Sequence, residues 1–185
     1  MNAKRPRRLA GGDLETIALD YLARFAASRK RVEEMLARRI RRSAQAHDDD
    51  PTPLLAAIPG IIARLERQGF VNDAAFAGMK AASLTRRGAS RQKVAAKLAH
   101  LGIAAEERGK AIDGLAEEFG DAQEAAAIAF AKRRRLGRYR ARHIAGPDRA
   151  AQARRDLAAM ARAGFGFDLS KRVLGGDIDI ESDAE

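Results

Sequence analysis

Apolar residues recur at helical spacing along most of this chain. The spacing i, i+3, i+4, i+7 places apolar side chains on one face of an α-helix. In the first segment these positions are Leu14, Ile17, Ala18, Tyr21, Leu22 and Phe25, and in the second they are Val32, Met35, Leu36 and Ile40. Asp13 and Ser28 directly precede the two segments, and their side-chain oxygens can accept from the unpaired N–H groups of a helix start. The sequence therefore predicts two amphipathic helices, capped by Asp13 and Ser28.

The same pattern continues to the end of the chain. A third helix has the apolar positions Ile58, Ile61, Ile62 and Leu65. Its start is left open, because Pro53 suits a first turn but Pro59 would then lie inside the helix and kink it. Further helices are predicted over 73–85, 90–101, 104–119, 121–135, 147–163 and 167–174, with Asp73, Ser90 and Asp121 as caps. The predicted inward positions are Val94, Leu98 and Leu101 on the fifth helix and Ala150, Leu157 and Met160 on the eighth. Phe76, Met79 and Leu84 lie on neighbouring faces of the fourth helix, and Ile128 and Phe130 lie in the seventh.

Composition narrows the fold class and excludes several chemistries. Apolar residues make up 46% of the chain, many of them alanine, and there is no tryptophan. Such a composition favours helix over sheet, so we expect an all-α protein. The absence of cysteine excludes disulfides, thiolate metal sites and cysteine nucleophiles. No segment is long and apolar enough to cross a membrane, and no apolar segment follows the basic residues 1–8, so we expect a cytoplasmic protein without a signal peptide.

Charge points to an acidic partner. The formal net charge is +10, which favours a polyanion or an acidic protein surface. Arginine and lysine bracket the predicted turn between the fourth and fifth helices, where Gly88 suits a positive φ. A second, denser cluster covers residues 132–155, with Tyr139 among ten cations and one acid. Because like charges packed this closely repel each other, the cluster favours binding over a merely solvated loop.

Part of the chain repeats at an offset of 62 residues. Ser28-Arg-Lys-Arg-Val32 matches Ser90-Arg-Gln-Lys-Val94, and Arg24 and Leu36 match Arg86 and Leu98. A fainter third copy places Met160, Gly164 and Phe165 at the positions of Leu98, Gly102 and Ile103. Self-similarity at a fixed period is typical of stacked helical units that bury each other's apolar faces.

These segments resemble the RecX family of regulatory proteins, which act on the RecA recombinase. The resemblance rests on Gly69-Phe-Val-Asn-Asp-Ala-Ala-Phe-Ala77, on Arg87-Gly-x-Ser-x-x-Lys-Val94, and on Leu101-Gly-Ile103. Ala18-Leu-Asp-Tyr-Leu22 and Ala163-Gly-Phe165 extend it, in family order, over roughly residues 14 to 174. The Asp-rich connection 47–53 and Pro59-Gly60 depart from the family pattern and leave the register of the third helix in doubt.

The resemblance implies a curved, elongated array of three tandem three-helix repeats. With the boundaries suggested by this chain, we expect a flexible basic tail (1–12), repeats at 13–72, 73–120 and 121–175, and a disordered acidic tail (176–185). It also implies binding along the groove of the RecA–DNA filament, which blocks filament growth and reduces ATP hydrolysis and strand exchange. We expect a monomer with weak contact to single- or double-stranded DNA and no contact with membranes.

The expected binding residues are the basic side chains at the repeated turns and in the dense cluster. They are Arg24, Arg29, Arg31, Arg86, Arg87, Arg91, Lys93, Arg133, Arg134, Arg135, Arg138, Arg140 and Arg142. The planar guanidinium of arginine suits both phosphates and carboxylates. The histidines lack metal-ligand spacing, and the sequence has no phosphate-binding loop or nucleophile motif, so we expect no catalytic residue, metal or cofactor.

Two other functions remain open at this point. Residues 73–101 also fit a helix-turn-helix that binds DNA directly, with Arg91, Gln92 and Lys93 at the start of the second helix. Against this interpretation, the same hairpin recurs in the first repeat, where a recognition helix would be redundant. A weaker alternative is a generic helical-repeat adaptor, which would bind the filament without inhibiting RecA.

Overall fold

The computed structural model describes residues 6–140 and 148–175, and every regular element in that part of the chain is helical. The helices are α1 (Gly11–Leu22), α2 (Arg29–His47), α3 (Thr52–Arg67), α4 (Asp73–Arg86), α5 (Arg91–His100), α6 (Ala105–Asp113), α7 (Leu115–Phe119), α8 (Ala122–Arg134), α9 (Asp148–Arg162) and α10 (Phe167–Leu174). A short 3-10 helix, Gly137–Tyr139, follows α8. The predicted all-α class is confirmed, as alanine-rich sequence requires. None of the described helices has the length and apolar character of a membrane span.

Residues 6–9, which lie in the predicted basic tail, contact α2. The backbone N–H of Leu9 donates to Ser43 Oγ at 3.0 Å, and Nε2 of His47 lies 2.8 Å from the carbonyl oxygen of Pro6. The helix α1 already begins at Gly11, with Ala10 at the N-cap position, so the prediction of Asp13 as cap is wrong. Asp13 instead lies in the first turn, where its carboxylate accepts from the Ala10 N–H at 2.8 Å.

Helix α4 begins at Asp73 as predicted, but its cap differs from the prediction by one residue. Asn72 is the cap, because its Oδ1 accepts from the Ala75 N–H at 2.9 Å. The carboxylate of Asp73, predicted to cap α4, accepts from the Arg29 N–H at 2.7 Å and so caps α2. Ser28 caps α2 as predicted, through its contact with the Arg31 N–H at 3.4 Å. Ser28 and Asp73, from different parts of the chain, therefore both accept hydrogen bonds from the unpaired N–H groups at the start of α2.

Other helix boundaries agree or differ for identifiable reasons. The open start of α3 lies at Thr52, and Pro59 is accommodated inside the helix. The predicted helix over 104–119 is divided at Gly114 into α6 and α7. Asp121 caps α8 as predicted, by accepting from two N–H groups at 3.0 Å. Pro147, predicted in a first turn, lies outside the described residues.

The chain divides into two compact units. The first contains residues 6–77 and 100–107 of the described chain, and the second contains 78–99 together with the described residues from Arg108 onward. Helices α4 and α6 each contribute to both units. The division into three repeats stays a prediction.

Each unit has its own apolar core. The predicted inward residues of α2 and α3 are all buried, and with Leu14 and Ala18 of α1 they form the core of the first unit. In the second unit, Leu157 and Met160 are buried as predicted, whereas Ala150 is exposed.

Alanine, not a larger residue, faces inward on two helices. On α4 the buried residues are Ala77, Ala81 and Ala82 with Thr85, while the larger Met79 is 51% exposed. On α8 they are Ala126, Ala127 and Ala131, while Ile128 and Phe130 are only partly buried. Small side chains allow close helix packing, which a search for large apolar residues does not detect.

The strongest trace of the repeat is a pair of equivalent hydrogen bonds. In the first unit, the hydroxyl of Ser28 donates to the carbonyl oxygen of Leu101 at 2.7 Å. In the second unit, Ser90 donates to Ala163 at the same distance. Donors and acceptors are both offset by 62 residues, and both serines are fully buried. Each acceptor directly follows a helix, where carbonyl groups lack helical partners.

Glycine after each acceptor makes this approach possible. A Cβ at Gly164, whose φ is +89°, would lie 2.6 Å from Ser90 Oγ. A Cβ at Gly102, the residue 62 positions earlier, would lie 2.6 Å from the Lys30 side chain. Neither position therefore accepts a larger residue without local displacement.

Replacing Ser90 by alanine is expected to lower the free energy of unfolding by about 1–3 kcal/mol, because the carbonyl of Ala163 would remain buried without its donor. Ser28→Ala should have a similar effect through Leu101. Chemical denaturation of both variants measures the change. Ser83→Ala is the matched control, since Ser83 is only half-buried and forms no side-chain hydrogen bond among the described residues. Equal stability of Ser90→Ala and Ser83→Ala would contradict the expectation.

Candidate polyanion-binding surface

The turn between α4 and α5 is tightly formed. The N–H of Gly88 donates to the Thr85 carbonyl at 2.8 Å, and the N–H of Ala89 donates to Leu84 at 3.0 Å. Gly88 has the predicted positive φ, +78°. A Cβ there would lie 2.5 Å from the backbone nitrogen of Phe130, so the turn packs directly on α8.

Arg133 joins this turn to the basic end of α8. Its guanidinium donates to the carbonyl oxygen of Arg87 and lies 5.7 Å from the ring centroid of Phe130. The two clusters predicted separately, at the turn and after residue 132, are therefore brought together in the second unit. We call their cations the elbow surface: Arg86, Arg87, Arg91, Lys93, Lys132, Arg133, Arg134 and Arg135.

Only two of these cations form ion pairs within the described residues. Arg86 contacts Glu118, and Arg91 contacts Asp113 at 2.8 Å. All four side chains are 46–68% exposed, so solvent screens both pairs and they contribute little stability. The side chains of Arg87, Lys93, Arg134 and Arg135 are exposed and have no acidic partner in the described chain. This part of the surface keeps a net positive charge.

Arg135 occupies an unfavourable backbone conformation. It ends α8 with a φ of +54°, in the left-handed region that residues with a Cβ rarely adopt. Glycine would relieve this strain, yet the position carries an exposed cation. Retained strain of this kind is often found at functional sites.

The cations at the end of α8 and in the segment that follows it have two different roles. Arg138 and Lys132 lie 5.3 Å and 5.8 Å from the ring centroid of Tyr139. Arg140, by contrast, donates to both carboxylate oxygens of Asp156 at 2.9 Å. Asp156 is 5% exposed and also accepts from the Gly137 N–H at 2.8 Å, so Arg140 serves packing more than binding. Arg142 lies outside the described residues.

The predicted cations of the first unit are engaged by their own surroundings. Arg29 contacts Glu33 at 3.0 Å and Glu66 at 3.4 Å, and Arg31 contacts Glu34 at 3.5 Å. The hydrogen bond to Glu33, followed by the charge of Glu66, raises the pKa of Arg29 above its usual value. Arg24 donates to a backbone carbonyl of α1 at 3.0 Å. The two units thus differ in how many turn cations remain unpaired.

Sequence reasoning did not select two features that the structure reveals. One is the buried carboxylate of Asp156. The other is a group of four exposed arginines on α2, Arg38, Arg39, Arg41 and Arg42. The role of Asp156 depends on tertiary contacts and has no signal in the sequence. The four arginines, by contrast, are visible in the sequence as a run outside the repeated motif.

The chemistry available to the elbow surface is anion binding. Guanidinium groups donate in pairs to phosphate or carboxylate oxygens. Among the described residues, no three His, Asp or Glu side chains are grouped as metal ligands would be.

The chain is similar to a curated bacterial regulatory protein. The chain is 39% identical over 171 residues to the protein of Myxococcus xanthus (strain DK1622) named Regulatory protein RecX. The aligned region covers 92% of this chain and 89% of that protein. No model of a protein family matches the chain.

Asp156→Ala is expected to destabilise the second unit by about 3 kcal/mol or more, because it leaves a partly buried guanidinium and a backbone N–H without their acceptor. Thermal or denaturant unfolding measures this loss. Asp113→Ala removes an exposed ion pair to the same kind of residue and should change stability little. If both variants lost the same stability, the structural role assigned to Asp156 would be wrong.

Arg135→Gly is expected to be about 1 kcal/mol more stable than Arg135→Ala. Both variants lack the arginine side chain, and only glycine adopts a φ of +54° without strain. Comparison of their unfolding midpoints tests the backbone conformation itself. A less stable glycine variant would contradict it.

Proposed function

The chain belongs to the RecX family of regulatory proteins, and from that premise we propose that it binds the RecA–DNA filament and limits filament growth. ATP hydrolysis and strand exchange by RecA would fall as a consequence. The ordered family motifs, from Ala18 to Phe165, support this proposal. RecA filaments form on cellular DNA, so the proposed site of action is the cytoplasm, and we propose that the protein acts as a monomer without an enzymatic activity of its own.

The observation that carries the proposal is the elbow surface. Arg133 and Arg87 unite two basic segments that are 46 residues apart in the chain. A filament of RecA on DNA offers phosphates and acidic side chains, both of which guanidinium groups bind. The exposed cations without acidic partners supply the corresponding charge. We propose Arg87, Lys93, Arg133, Arg134, Arg135 and Arg138 as the main filament-binding residues of the second unit.

The helix-turn-helix alternative is less well supported. Of the three residues expected to read bases, Arg91 is paired with Asp113. The Oε1 of Gln92 lies near Gly164, 3.2 Å from where a Cβ would be, so this side chain lies beside the second residue after α9. Lys93 is the one of the three with neither an ion pair nor such a neighbour in the described chain, and one cation is too little for direct sequence recognition.

Adding the protein during RecA assembly on single-stranded DNA is expected to suppress ATP hydrolysis at sub-stoichiometric amounts. Unchanged hydrolysis at a one-to-one ratio would contradict the proposal. Filament binding without suppression would instead indicate an adaptor. Tight, sequence-selective duplex binding at physiological salt would favour the helix-turn-helix alternative.

The variant Arg87→Gln, Arg134→Gln, Arg135→Gln tests the surface itself. These side chains have no described partners, so the fold should persist while the concentration needed for half-maximal inhibition rises about tenfold or more. The matched control, Arg67→Gln, Lys80→Gln, Arg162→Gln, removes the same three charges outside the surface. Equal inhibition by the two variants would show that net charge, and not this surface, is responsible.

A further inference from the structure

Helix α2 is much longer than its sequence counterpart. It has 19 residues, whereas α5, which is related to it by the offset of 62, has 10. The last residue of α5, His100, corresponds to Arg38. The part of α2 beyond Arg38 is therefore an extension that the repeat does not require.

The part of α2 from Arg38 onward buries one face and exposes arginine on the other. Ile40, Ser43 and Ala44 are buried in the first unit. Arg38, Arg39, Arg41 and Arg42 are exposed, and within the described residues none forms an ion pair or a side-chain hydrogen bond. We call these four residues the α2 arginines.

The beginning of the same helix shows how the chain compensates cations elsewhere. Arg29 is paired with Glu33, and Glu34 serves both Lys30 and Arg31 at 4.0 Å and 3.5 Å. No acidic residue occurs between Glu34 and the end of the helix. The change from compensated to uncompensated charge occurs within a single helix.

Nothing within α2 offsets this charge. The α2 arginines are three or four residues apart in three combinations, a spacing at which like charges repel on a helix. The favourable helix dipole acts within the last turn, whereas Arg38 lies more than two turns before His47. An uncompensated cluster of this kind is typical of a surface that meets a polyanion.

We propose that the α2 arginines bind the phosphate backbone of duplex nucleic acid. All four are arginines, whose planar donor groups fit phosphate oxygens. Residues 38–47 contain no Phe, Tyr or Trp side chain on which an unpaired base could stack, and single-strand sites generally depend on such stacking. A duplex also carries about twice the charge per unit length of one strand. The α2 arginines are therefore suited to bind duplex nucleic acid through its charge, without selecting a base sequence.

This site shares no residue with the elbow surface and does not depend on the proposed action on RecA. It can be tested with the full chain and DNA alone. Fluorescence anisotropy would measure binding to a short duplex, and to one of its strands, over a range of salt concentrations. The variants are Arg38→Gln, Arg41→Gln, Arg42→Gln and the control Arg67→Gln, Lys80→Gln, Arg162→Gln.

The wild-type chain and the control should bind duplex more tightly than single strand. In the α2 variant, duplex affinity at low salt should fall about tenfold or more, and the slope of log affinity against log salt should decrease by about 2 to 3. Glutamine is a good helix former, and circular dichroism would verify that α2 persists.

Three outcomes would overturn the inference. Equal losses in the α2 variant and the control would show a general effect of net charge. Duplex affinity unchanged by the α2 substitutions would show that phosphates bind elsewhere. Equal or tighter binding of the wild-type chain to the single strand would contradict the assignment to duplex. Failure of the protein to inhibit RecA would leave this experiment unaffected, because RecA is absent from it.

Discussion

Both units depend on a buried serine hydroxyl that links the end of one helix to the start of another. Ser28 and Ser90 each precede a helix, and each donates to a carbonyl that directly follows a different helix. A helix end leaves carbonyl groups without partners, and burying one unsatisfied is costly. The serine solves this problem at a position where the chain must also begin a helix. Glycine beside each acceptor allows the close approach that the bond needs.

This hydrogen bond explains why certain positions recur between the two units. The serine and the glycine recur because the bond requires a small donor at a helix start and space beside its acceptor. The basic residues recur with them, but their surroundings differ. In the first unit Arg29 and Arg31 both contact carboxylates. Of their counterparts in the second unit, Arg91 contacts Asp113, whereas Lys93 has no acidic partner in the described chain. The repeated motif therefore keeps one pairing in both units and leaves a cation unpaired in the second.

The role of each cation in this protein depends on its burial and its acidic neighbours, and not only on how many cations lie nearby. Arg140 is among the densest run of cations, yet it is held by Asp156 and stabilises the packing of the second unit. Arg134 and Arg135 are a few residues away and fully available to a partner. The acidic neighbours of a cation decide between these roles, since a buried carboxylate neutralises the charge of a guanidinium and holds it in place. The net charge alone does not distinguish them.

The sequence by itself determined the all-α class, most helix boundaries and the inward faces of α2 and α3, because large apolar residues at helical spacing have one way to be buried. It also identified the family, from motifs in their proper order, and the serines that cap α2 and precede α5. It did not reveal that Asp73 caps α2, that alanine forms the inward faces of α4 and α8, or that Gly88 packs on Phe130. Each of these depends on which distant backbone comes close, and local spacing contains no such information. Only the tertiary structure decided which arginines are paired, because an ion pair such as Arg140 with Asp156 forms between residues that folding brings together.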